Sequence, residues 1–220
     1  PPYGERLGEL PELVALYSDL GERMRRHFPG WQLALFTGNP DLGHRLGLRA
    51  HKQYAFKNGP LDCKLLLIDI AGREAAGEES ETSDPAPRES VQSEGAQMFA
   101  NRLQKNRKRL SKWLKKSGEA CYRLYDADMP EYALAIDVYG HQVHVQEYAA
   151  PKSVDPGRAQ RRLMDALSAI PVALDVRPEQ IHYKQRERQS GKAQYRKQGD
   201  SGDRFVVTEG GARLWVNLKD

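Results

Sequence analysis

Several features that mark large protein classes are missing from this sequence. Its longest apolar run, Leu65 to Ile70, is broken by Asp69. That falls far short of the roughly 20 residues a membrane helix needs, so no membrane partner is expected. Two cysteines, Cys63 and Cys121, exclude a disulfide-rich scaffold and any zinc site built of cysteine alone. No Gly-x-Gly-x-x-Gly or comparable glycine-rich turn occurs, so the chain carries no recognisable cofactor loop. No basic and apolar leader opens the chain, nothing points to secretion, and the expected location is cytoplasmic. No internal repeat is present. There is no initiating Met either: a chain opening Pro1-Pro2-Tyr3 is expected to be cut from something longer.

What is present is charge, unevenly placed. The 220 residues (24.9 kDa) carry 34 Lys and Arg against 30 Asp and Glu, with a net charge of +4. That surplus permits a nucleic-acid partner without establishing one, because the distribution of charge decides. Between Gly72 and Glu94 the sequence reads GREAAGEESETSDPAPRESVQSE. It is acidic, rich in Ser, Pro and Ala, and too poor in apolar groups to offset its ordering entropy. Residues 72–95 therefore read as an acidic flexible linker between an N-terminal piece, 1–71, and a C-terminal piece, 96–220.

In the N-terminal piece, Leu13, Leu16, Tyr17, Leu20 and Met24 recur at helical spacing over about 10–27, and Pro29-Gly30 stops that helix. Trp31 to Phe36 has the length of a buried strand. A short helix is expected over Pro40 to Leu46, capped by Asn39. Two strands, Arg49 to Lys57 and Leu61 to Ile70, are joined by the Asn58-Gly59-Pro60 turn. This order suggests the closing half of an α/β sheet whose last pair is antiparallel, with its missing strands supplied from upstream.

The C-terminal piece opens with a basic helix, Ala96 to about Ser117, ended by Gly118. Strands are expected at Cys121–Tyr125, Tyr132–Tyr139 and Gln142–Tyr148. A helix capped by Asp155-Pro156 follows, running to about Ile170, with Leu163, Ala166, Leu167 and Ile170 inward and Arg158, Arg161 and Arg162 outward. Further strands lie at Ile181–Arg186, Phe205–Glu209 and Arg213–Leu218. The expected fold is an α+β domain with a mixed or antiparallel sheet.

Three features can carry chemistry. A rigid Pro1-Pro2 turn ending in Tyr3 can hold a flat substrate against the ring, while a proline carbonyl accepts from an amino group. The helix FANRLQKNRKRLSKWLKK carries Arg102, Lys105, Arg107, Lys108, Arg109, Lys112, Lys115 and Lys116. Charge so dense is costly unless phosphate or a distant acidic surface relieves it; the alternative is a solvated helix whose apolar stripe packs on the sheet. Arg186, Arg188, Lys192 and Tyr195, around a glycine, can combine phosphate contacts with base stacking, although polar hairpin loops share this composition. Asp126-Ala-Asp128 suits a turn better than a metal site, and His141 and His144, three apart on a strand, make a poor metal pair. Cys63 and Cys121 read as packed thiols. No metal is expected.

Pro1-Pro2-Tyr3 resembles the motif (Asn/Asp/Ser)-Pro-Pro-(Tyr/Phe/Trp) of the amino-methyltransferases, and the likeness continues through Gly4-Glu5-Arg6-Leu7. Further blocks follow in order: LRAHKQYAFKNGPLDC, ANRLQKNRKRLSKW, CYRLYDADMPEYALAIDVY, VQEYAAPKSVDP, RERQSGKAQY and LWVNLKD. Together they are similar to the middle of the fused bifunctional 23S ribosomal RNA methyltransferases of proteobacteria, the RlmK/RlmL type. The resemblance implies that 1–71 is the C-terminal part of a Rossmann-like class I domain methylating guanine N2. It implies that 96–220 is an RNA-associated α+β domain preceding a second domain that methylates guanine N7. It further implies S-adenosylmethionine as cofactor, with its sites largely outside this chain, and 23S rRNA or a large-subunit assembly intermediate as partner. Pro1, Pro2 and Tyr3 would bind the extruded base, lacking the motif's preceding Asn. The isolated stretch is then expected to be inactive; the alternative is a non-catalytic RNA-binding or interdomain module. Nothing in the residues fixes an oligomeric state.

Overall fold

The computed structural model describes residues 1–2, 8–72, 93–148, 154–186 and 204–218. They divide into two compact units, Pro1–Gln92 and Ser93–Asp220.

In the first unit, helix α1 (Leu10–His27) starts with a proline in its first turn and ends on Arg25, Arg26 and His27, which complement the helix dipole. Strand β1 (Gln32–Thr37) leads to α2 (Pro40–His44), where the Asn39 side chain accepts from the Leu42 N–H at 3.3 Å, as expected of that cap. Strands β2 (Lys52–Asn58) and β3 (Leu61–Asp69) complete a sheet in the order β1-β3-β2. Because β3 lies antiparallel to both neighbours, β1 and β2 run in the same direction. Leu35, Leu66 and Ile68 turn one face of this sheet into the core with Leu13, Val14 and Tyr17 of α1. The helix approaches so closely that a Cβ on Gly21 would lie 1.9 Å from the Leu46 carbonyl oxygen.

The second unit opens with α3 (Glu94–Ser117), two residues earlier than the periodicity predicts. Ser93 caps it, accepting from the Ala96 N–H at 3.1 Å while donating to the Asp165 carboxylate at 2.6 Å. Strands β4 (Cys121–Asp126), β5 (Leu134–Tyr139) and β6 (Gln142–Glu147) form an antiparallel meander. Tyr132, expected in β5, instead closes a turn by donating its N–H to the Met129 carbonyl at 3.0 Å. Its ring stacks on Phe99 at 4.6 Å, so burial against α3 outweighs strand pairing there. Helix α4 (Pro156–Leu174) passes through Pro171 rather than stopping at Ile170, because Ala173 and Leu174 still face the core. It leads through a short turn at Pro178–Gln180 to β7 (Ile181–Gln185), which pairs parallel with β6. The sheet is therefore mixed, in the order β4-β5-β6-β7, and a separate hairpin joins β8 (Phe205–Glu209) to β9 (Ala212–Val216). Helices α3 and α4 pack against each other. Among the described residues no helix is long and apolar enough to cross a membrane.

Candidate nucleic-acid interface

At the start of the first unit, the Pro2 carbonyl accepts from the Tyr17 hydroxyl at 3.1 Å. That hydroxyl also meets the Thr37 Oγ1 at 3.1 Å, and Thr37 Oγ1 accepts from the Asn39 N–H at 3.1 Å. Tyr17 and Thr37 are almost wholly buried, and burial raises the Tyr17 phenol above its ordinary pKa of 10.0 while the Thr37 bond opposes the shift. Both stay neutral, and together they fix where the Pro1-Pro2 segment leaves the core. Nothing in the spacing of Tyr17 or Thr37 along the sequence separates them from ordinary core residues. Tyr3 lies outside the described residues.

The α3 cations fall into a pattern that the helix period explains. Ala96, Phe99, Ala100, Leu103 and Asn106 are buried. Lys105, Arg109, Lys112 and Lys116, at spacings of four, three and four, project from the opposite side in one stripe, with half-buried Arg102 at its border. Lys108 and Lys115 lie on one flank, and Trp113, 47% exposed, lies on the other. No α3 cation takes part in an ion pair among the described residues. Asn106 anchors the helix beneath them: its buried amide donates to the Leu124 carbonyl at 3.0 Å and to the Asp128 carboxylate at 2.6 Å.

Arg186 stands apart from this stripe, at the end of β7, with its guanidinium 5.4 Å from the centre of the Tyr148 ring. Arg188, Lys192 and Tyr195 lie outside the described residues. Arg162, expected to point outward, is instead half-buried: it donates to the Tyr132 hydroxyl at 3.1 Å and lies over that ring. The two aspartates of Asp126-Ala-Asp128 diverge. Asp126 accepts from Tyr148 at 2.5 Å and from Arg123 at 3.1 Å, contacts that hold its carboxyl below the usual range, whereas Asp128 serves Asn106. His141 sits in the β5–β6 turn, away from His144 on β6.

Strand register creates an arrangement invisible to spacing. Arg123, Asp137, His144 and His182 stand opposite one another in a single row across β4, β5, β6 and β7. His144 is 9% exposed, its Nδ1 lies 3.0 Å from the Gln146 amide, and its Nε2 has no hydrogen-bond partner among the described residues. Among the described residues no group of three or more His, Cys, Asp or Glu is gathered as a metal ion would require.

Comparison with known proteins gives this geometry a context. Residues 1–66 match the RMKL-like methyltransferase domain family. The "Ribosomal RNA large subunit methyltransferase K/L" of Chromohalobacter salexigens is 70% identical, covering 100% of this chain and 31% of the relative. The protein of the same name from Pseudomonas paraeruginosa is 58% identical, again over 100% of this chain and 31% of its own. The solved structure "A putative sam-dependent methyltransferase from Streptococcus mutans" aligns over 88% of this chain and 42% of its own, at 14% identity and a TM-score of 0.40, too loosely to carry an argument. The chain spans about a third of the length of the curated relatives it matches. Over its whole length, then, the chain is homologous to one segment of the ribosomal RNA large subunit methyltransferase K/L proteins.

Proposed function

We propose that this chain is the central segment of a 23S rRNA guanine methyltransferase and that its part in the reaction is to bind RNA and orient a base. The identity to K/L proteins across the full chain carries this reading. On it, residues 1–71 close the Rossmann-like sheet of the guanine-N2 enzyme, 72–95 link, and 96–220 form the RNA-associated domain before the guanine-N7 enzyme. The first unit supports this placement. Its helices cover one sheet face, while Phe36, Tyr54 and Phe56 on the other are 46%, 40% and 47% exposed, as expected of a sheet that further elements complete.

S-adenosylmethionine would supply the methyl group, yet the described residues do not form a cradle for it. Of the positive-φ glycines in the first unit, Gly30 and Gly59 sit in turns with only open space around them, and Gly8 and Gly47 lie against the Leu13 and Arg25 side chains. What the chain can do is local. The Pro1 carbonyl accepts from an exocyclic amino group, Tyr3 stacks on the extruded base, and the Pro2 carbonyl is held by Tyr17. Stacking of this kind contributes on the order of 1–3 kcal/mol per base. Orientation contributes more, since aligned reactants gain up to roughly 7–11 kcal/mol of effective molarity.

In a protein containing both catalytic domains, Tyr3→Ala should sharply lower N2-methylation and spare N7-methylation, as read by mass mapping of 23S rRNA. Equal loss of both would refute the assignment. The second reading, a non-catalytic RNA-binding module for this stretch alone, is favoured by the unpaired cationic stripe of α3. Calorimetric titration with S-adenosylmethionine separates the two, because stoichiometric binding by the 220-residue chain excludes a purely non-catalytic role.

A further inference from the structure

The second unit contains a cavity of about 460 Å³ between the β4–β5 loop, the end of β6 and the first turns of α4. Its size is that of small-molecule sites, which run from roughly 300 to 1,000 Å³. Its walls are chemically divided. Leu134, Leu163 and Ala159 supply apolar surface, and Tyr148 supplies an aromatic wall. That ring is fixed before any ligand arrives: its hydroxyl donates to Asp126 at 2.5 Å, and Arg186 lies over the ring at 5.4 Å.

Charge on the rim is of both signs. Glu147 lines the cavity but is committed, since its Oε2 accepts from the Tyr183 hydroxyl at 2.5 Å. Glu131 and Arg158 also line it, and neither side chain has a hydrogen-bond or ion-pair partner among the described residues. A flat aromatic wall, and a carboxylate and a guanidinium both unpaired among the described residues, match the face of a base, its edge and the phosphate of a nucleotide. The ring packs on the wall, the base edge donates to the carboxylate, and the phosphate meets the guanidinium. Among the natural bases only guanine places two adjacent N–H donors, N1–H and the N2 amino group, where one carboxylate can accept both. Asp155 also lines the cavity but is committed like Glu147, its Oδ2 accepting from the Arg158 backbone N–H at 2.8 Å.

We infer that this cavity seats one guanosine monophosphate unit of an RNA strand, with Glu131 reading the base edge, Tyr148 packing on the ring and Arg158 holding the phosphate. The ligand class rests on the RNA-binding function proposed above. The test uses mononucleotides, so its result is independent of the α3 stripe.

Titrating the full chain with GMP, AMP and guanosine, followed by amide chemical shifts, should place the shifts on residues 131–134 and 158–163. GMP should bind on the order of tenfold tighter than AMP, the discrimination expected of a two-bond contact to a base edge. Glu131→Gln should erase that preference, and Arg158→Gln should weaken GMP while leaving guanosine unchanged. Both side chains are exposed, so a dispersed spectrum will show that the variants fold. Equal affinity for GMP and AMP, a preference that survives Glu131→Gln, or no shift at a few millimolar GMP would each overturn the proposal. Should GMP bind while RNA affinity proves insensitive to salt, the cavity stands and the electrostatic role of α3 falls.

Discussion

Arg123 holds Asp137 across neighbouring strands through two hydrogen bonds, Nε to Oδ1 at 2.7 Å and Nη2 to Oδ2 at 3.0 Å. The pair sits where β4 and β5 slip register between Arg123 and Tyr125, so the ladder is weakest where the side chains grip. The two partners differ in access to water. Arg123 is 42% exposed and also meets Asp126, whereas the Asp137 side chain is only 11% exposed.

That asymmetry predicts unequal costs. Arg123→Met leaves a largely dehydrated carboxylate without its counter-charge and should cost about 2–3 kcal/mol. Asp137→Asn frees a guanidinium that water and Asp126 can still satisfy, so the loss should be about 1 kcal/mol. Urea unfolding of the two variants decides it. Equal losses, or a larger one for Asp137→Asn, would mean that the sheet rather than the ion pair holds this corner.

Tyr17→Phe should act at a distance. It removes the donor that pins the Pro2 carbonyl but leaves the buried ring in place, costing about 1 kcal/mol of stability. If Pro1-Pro2 orients a base, small displacements there are expensive. Methyl transfer by a protein containing this segment should then fall in kcat by about tenfold or more, with KM for RNA little changed. An unchanged kcat in fully folded protein would reduce Tyr17 to a packing residue.

Most elements were legible because their signals were local. Asn39, Asp155 and Gly118 mark helix ends by their own chemistry, and the structure finds each at the end it marks. Ser93 is an equally good cap but lies in an acidic stretch with no apolar period, so the periodicity alone starts α3 two residues late. The apolar periodicity carries α4 only to about Ile170, while the burial of Ala173 and Leu174 beyond Pro171 is a tertiary effect that local rules penalising proline do not contain. The candidate site divides the same way. The α3 stripe follows from helical period alone. The Arg123–Asp137–His144–His182 row needs strand register, which depends on a bulge that no residue type announces.

His144 supplies a pH dependence. Burial lowers its pKa from 6.5; His182, Lys184 and Arg186 push the same way, and Asp137 opposes them. The unfolded chain therefore binds more protons below about pH 6.5, and stability is lost as pH falls from there through the folded value. Between about pH 7.5 and 5, wild type should lose more stability than His144→Gln, measured by urea midpoints at each pH. Parallel curves would show that His144 takes up its proton without cost to the fold.

The α3 stripe makes the sharpest prediction about RNA. Each phosphate contact contributes roughly 0.7–0.9 to the slope of log affinity against log salt. Charge reversal of Lys105, Arg109 and Lys112 together should weaken binding to a 23S rRNA fragment and flatten that slope by about 2 to 3 units. Reversing Lys108 and Lys115, about a quarter-turn round the helix, should do less, because a rigid strand cannot meet both sides at once. If both sets act alike, binding senses net charge and not the stripe. If neither changes the slope, the helix is scaffold, and the buried amide of Asn106 serves packing alone.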